Sequence, residues 1–140
     1  MENFFGEVIY SYSRAQAIED GILVDMSEYI PEGESKPLVK QAGFKVPVAV
    51  TRAVYDRLIT IPDNYVGSQD TTGRFWDILT LLHAEIKRSV GRDQLIFGVY
   101  SRKVNNNGSD GRLELVKLKA VIGPGDTPEP VLTIMFPEED

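Results

Sequence analysis

The chain has 140 residues, 42% of them hydrophobic and 26% charged, enough to bury one core without staples. It contains no cysteine, which excludes a disulfide framework, a thiolate nucleophile and a cysteine-held metal. A formal charge of −6 argues against free duplex DNA as a partner, because phosphate binding needs a basic footprint.

No apolar run approaches the roughly 20 residues of a membrane helix. The first residues, Met1 to Glu7, carry neither the basic start nor the apolar core of a secretory signal. A cytoplasmic protein with no membrane partner is therefore expected, folded as a single domain over residues 1–140. Glu7–Tyr12 reads as a short strand or extended arm. Ser13-Arg14-Ala15-Gln16 has the shape of a capping box and opens a helix over Arg14–Asp20, with Gly21 as its stop. Ile22–Met26 is a short buried segment, and Pro31, Glu32, Gly33 and Glu34 mark a surface loop.

Ser35 can cap a second short helix that has Pro37 in its first turn and ends at Gly43. Phe44–Val50 is valine-rich with Pro47 inside it, which reads as an extended connection or an edge strand. Thr51 caps Arg52–Ile59, and Val66–Gly73 is a polar loop. The strongest local signal is Thr72–Ser89. Phe75, Ile78/Leu79, Leu82 and Ile86 recur at helical spacing, with Thr71 or Thr72 as the cap and Lys87 and Arg88 at the negative end of the dipole.

Gln94–Lys103 and Arg112–Ile122 then read as strands, joined by the turn cluster Asn105–Gly111. A second turn, Gly123 to Pro130, leads to a third strand, Val131–Phe136. The fold class expected is α+β. N-terminal helices and one long amphipathic helix pack on an antiparallel meander of about three strands, with an N-terminal strand as an optional extension.

Five stretches carry a resemblance: Tyr12–Asp25, Ala42–Val54, Gly73–Leu79, Leu118–Asp126 and Glu129–Asp140. In this order they resemble a family of uncharacterised proteins found on bacterial chromosomes, plasmids and phages. The resemblance implies a protein of mobile-element neighbourhoods, an accessory or anti-defence factor, and assigns no functional residue.

The chemistry-bearing residues are sparse. His83 is the only histidine, so there is no paired-histidine metal site. A packed histidine on the main helix is the stronger account, although a general base assisted by Asp77 or Glu85 defines a hydrolase-like alternative. Glu19, Asp20, Asp25 and Asp77 lie near apolar segments, where caps and ion pairs explain them as well as catalysis does.

Gly123-Pro124-Gly125-Asp126 is the most distinctive loop. Glycines allow close approach, and successive amides can cradle an anion, so Lys119, Gly123, Gly125 and Asp126 form the candidate ligand site. A plain turn competes with that reading and is favoured. Tyr10, Tyr12, Tyr100 and Phe97 are candidate stacking surfaces for bases, with Arg102 and Lys103 nearby, but packing accounts for them better. A local basic patch would draw on Arg88, Arg92, Arg102, Lys103, Lys117 and Lys119.

The function expected is non-enzymatic binding of another macromolecule, with no cofactor, no metal and a protein as partner. Acids at both ends (Glu2, Glu7, Glu138, Glu139, Asp140) favour a basic protein surface. Small-ligand or nucleotide binding at Gly123–Asp126 is the alternative.

Overall fold

A computed structural model of the chain describes residues 13–139. Helix α1 is Arg14–Glu19, strand β1 Leu23–Asp25, helix α2 Leu38–Gln41, strand β2 Val48–Thr51 and helix α3 Arg52–Val54, which runs on as a π-helical turn over Tyr55–Ile59. The long helix α4 spans Thr71–Arg88, and strands β3 (Gln94–Val104), β4 (Asp110–Pro124) and β5 (Pro130–Met135) follow.

The apolar stripe of α4 sets the layering. Phe75, Leu79 and Leu82 are fully buried, and Ile78 nearly so. They cover one face of the sheet, where alternate residues Leu95, Phe97 and Val99 of β3 and Val116, Leu118 and Ala120 of β4 are also buried. The helix is capped by Asp70, whose carboxylate accepts the Gly73 amide at 2.6 Å, and not by Thr71 or Thr72. An acid just upstream of the helix satisfies an orphan amide and adds a favourable charge at the positive end of the dipole.

The described residues form a five-stranded sheet in the order β1-β2-β5-β4-β3. The meander expected of the last three strands is present, since β3 pairs antiparallel with β4 and β4 with β5. Two further strands correct the rest of the expectation. Val48 to Val50 of β2 lie parallel to Leu132 to Ile134 of β5, and β1 closes the edge antiparallel to β2. The sheet is thus mixed.

Phe44–Val50 is no edge strand, because all four residues of β2 are buried between two neighbours. Pro47 suggested an edge, but it lies just before the strand. It needs no amide there, and its carbonyl accepts the Leu132 amide at 2.9 Å. The arm Glu7–Tyr12 lies outside the described residues, and the extension of the meander comes from β1 and β2 instead. The second helix starts at Leu38 with Pro37 in the cap position and is shorter than Ser35–Gly43. The segment Arg52–Ile59 divides into α and π turns.

Two polar ties hold the β3–β4 connection to the loop before α4. Tyr65 Oη and Gln69 Nε2 both donate to Asp110 Oδ1, at 2.7 and 2.8 Å, and hold its carboxyl below the usual carboxylate range. Gly108, at φ +89°, lies so close to Asn64 that a side chain would strike the Asn64 carbonyl, and its own carbonyl accepts the Val66 amide at 2.8 Å.

Leu82 has 0% of its surface exposed, at the centre of the α4–sheet contact. Leu82→Ala is expected to lower the unfolding free energy by about 2–5 kcal/mol in urea titration. A change within experimental error would mean that this face carries no cavity cost.

Candidate functional site

The candidate loop stands where α1 meets the far face of the sheet. Ser13 Oγ accepts the Gln16 amide at 3.0 Å and starts α1. The first two helical amides, of Arg14 and Ala15, donate to the Asp126 carboxylate at 2.7 and 2.9 Å. The Gly123–Asp126 loop therefore supplies its own anion to the orphan donors of α1. Gly125 lets this happen in little space, since a side chain there would press on Val131.

Arg14 ties the other end of the contact. Its Nη1 donates to Thr133 Oγ1 at 2.6 Å and its Nη2 to the Leu132 carbonyl at 2.9 Å. Thr133 alternates with the buried Leu132 and Ile134, so α1 lies on the face of the sheet opposite α4. Burial lowers the pKa of the Arg14 guanidinium, against the raising influence of Asp25 and Asp126.

A cleft of about 930 Å³ opens beside these ties. Its lining includes the apolar Val121, Val131 and Met135 and the polar Arg14, Arg52, Thr51 and Glu139. Gly123, Gly125 and Asp126 line it. Lys119 turns away from the loop: its ammonium donates to the Glu139 carbonyl at 2.9 Å. Glu139 Oε1 in turn accepts from the Thr51 hydroxyl at 2.9 Å and the Phe136 amide at 2.8 Å. Glu139, one of the terminal acids expected to face a basic partner, is thus bound to the sheet. The Arg14–Thr133 and Thr51–Glu139 bonds escaped sequence reasoning because their partners lie 119 and 88 residues apart along the chain. The Ser13 and Thr51 caps and the acid after Gly125 gave a local signal.

The groups of the hydrolase-like alternative do not meet in a shared cleft. His83 stacks edge-on against Phe44, with ring centroids 5.8 Å apart. Glu85 accepts from Arg88 at 2.6 Å and Ser89 at 3.0 Å, which hold its carboxyl below the ordinary range. Asp77 lines a separate, smaller cavity with Tyr100 and Arg102, where desolvation raises its pKa. No group of three or more His, Cys, Asp or Glu side chains that could hold a metal occurs among the described residues.

The stacking candidates separate as well. Phe97 is buried under α4, whereas Tyr100 is 64% exposed. Ile96, Leu113 and Leu115 share its alternation and are also exposed, and Leu115 lies over Gly98, where a side chain would meet it. Arg102, Lys117 and Lys119 occupy the same side of the β3–β4 ribbon, which carries no acid over residues 94–102 and 113–121.

Asp126→Ala removes the acceptor of both α1 amides. It is expected to cost about 0.5–2 kcal/mol in urea titration, with Asp126→Asn intermediate. Equal stability of all three proteins would show that the tie contributes nothing.

No helix of the described residues is long and apolar enough to cross a membrane. No curated protein and no solved structure matches the chain. Over residues 1–140 it matches a family of unknown function, and it is a member of that family, DUF6573.

Proposed function

We propose that the chain is a non-enzymatic binding protein of the cell interior that docks a protein partner on the uncovered face of the β3–β4 ribbon. One observation carries this reading: Ile96, Tyr100, Leu113 and Leu115 are each about half exposed or more on one face, beside Arg102 and Lys117. Scattered apolar side chains are ordinary on a surface, but here Tyr100 faces Leu115 across the strands, Leu113 is next on the same face and Ile96 lies just beyond Gly98, which makes a patch. The cations beside it favour a partner segment with an apolar centre and acidic flanks, in place of the basic surface that the net charge suggests. The resemblance to proteins of bacterial chromosomes, plasmids and phages supports an accessory or anti-defence role in mobile-element neighbourhoods.

Defined peptides test the chemistry. Acid-flanked apolar decamers should bind, and Leu113→Ser with Leu115→Ser should weaken them at least about tenfold, as expected for loss of a central apolar anchor. Preference for lysine-flanked peptides, or affinity indifferent to both substitutions, would overturn the assignment. So would micromolar binding of duplex DNA at physiological salt.

A second reading rests on the cleft beside α1. Its volume of about 930 Å³ falls within the span of small-molecule sites, and Arg14 and Arg52 give it a cationic rim suited to a small phosphate or carboxylate. Titration with inorganic phosphate should then shift the amide resonances of Gly125, Asp126 and Arg52 saturably. Unmoved resonances would remove this reading.

A further inference from the structure

We infer that β3 is the dimerisation edge of this protein, pairing antiparallel with β3 of a second copy about a two-fold axis at Gly98. Among the described residues β3 is the last strand of the sheet and spans 11 residues, against three for β1 at the other edge. The Ile122 amide donates to the Asp93 carbonyl at 2.8 Å, which fixes the phase of the ladder. Odd-numbered residues of β3 exchange their hydrogen bonds with β4, while Gln94, Ile96, Gly98, Tyr100 and Arg102 turn their N–H and C=O outward. Of these, the Arg102 carbonyl accepts Arg74 Nη2 at 2.7 Å. Gln94 to Tyr100 have no backbone partner on that side among the described residues, and a row of unpaired groups of this kind is a template for another strand.

The pattern of side chains selects a second copy as the occupant. A two-fold pairing requires the edge to complement itself. With Gly98 on the axis, Ile96 lies opposite Tyr100 of the second copy, an apolar–aromatic pair, and Lys103 lies opposite its Asp93, a pair of opposite charge. Moving the axis one residue toward Leu95 sets Arg92 against Arg102, and moving it the other way sets Lys103 against the buried Leu95. Of these three registers only the one at Gly98 matches apolar with apolar and cation with anion. Leu81 adds to the same side of the molecule: it is 41% exposed, one turn beyond Asp77, which lines a cavity with Tyr100 and Ser101. A two-fold axis normal to the sheet keeps both copies of α4 on one side. It also joins the two open apolar faces into one strip, so partner docking and self-association are separately testable.

Sedimentation of the full chain should show concentration-dependent association to twice the 15.6 kDa chain mass. Tyr100→Lys should weaken it about tenfold or more, since it spoils two symmetric cross-strand pairs. Lys103→Asp and Asp93→Lys should each weaken it, and the double exchange should restore it, which a role confined to the monomer would not do. Because the chain has no cysteine, register can be read by cross-linking. Gly98→Cys should oxidise to a covalent dimer, as facing Cα atoms of a hydrogen-bonded pair lie about 5.5 Å apart, within disulfide reach. Tyr100→Cys alone should not, whereas Ile96→Cys combined with Tyr100→Cys should, and this second pair covers a Gly98 variant that fails to fold. A chain that stays monomeric at every concentration, or a dimer indifferent to Tyr100→Lys and silent in both cross-linking variants, would overturn the assignment.

Discussion

The one-sided burial of α4 is the constraint on which the rest of the structure depends. A helix with a single apolar stripe can cover one face of a sheet, and Phe75, Leu79 and Leu82 are spent on that face. Five strands are wider than one short helix can cover on the other side. There α1 reaches Thr133 and the Leu132 carbonyl through Arg14, and no other described element covers β3 and β4 beyond it. The open apolar patch and the open edge are thus consequences of a layer count, and both occur at the same end of the sheet.

The charged groups divide by a similar logic. Near α1 they are consumed internally: Asp126 by two helix amides, Arg14 by β5, Glu139 by Thr51 and the Phe136 amide, and Lys119 by a backbone carbonyl. Such ties fix where α1 and the chain end sit. They also reduce what the Gly123–Asp126 loop has left for an outside anion, because the amides it could have lent are answered by its own carboxylate. On the β3–β4 ribbon Arg102, which donates to the Gly111 carbonyl, and Lys117 flank apolar side chains, with no acid on that face over residues 94–102 and 113–121. An overall charge of −6 therefore says little about the sign of the surface a partner would meet.

Membership of a family of unknown function sets a frame and leaves the chemistry to the residues. His83 illustrates this. A lone histidine invites a catalytic role, yet its ring is spent against Phe44, and neither Asp77 nor Glu85 shares a cleft with it.

By itself the sequence determined the local elements: the α4 stripe, the Ser13 and Thr51 caps, and the three-stranded meander, because helical spacing, capping side chains and strand alternation act within a few residues. It also held the Gly123–Asp126 turn as a feature worth examining. Only the tertiary structure decided that Val48–Thr51 is an interior strand, since a short apolar run reads alike as edge, connection or core until β5 pairs beside it. The Asp126–Arg14, Arg14–Thr133 and Thr51–Glu139 contacts were decided there too, each spanning more than 80 residues, where no local pattern reports the contact. The parity that buries Phe97 and exposes Tyr100 is written in the chain, but which parity faces α4 is set by packing, and so is the surface left for a partner.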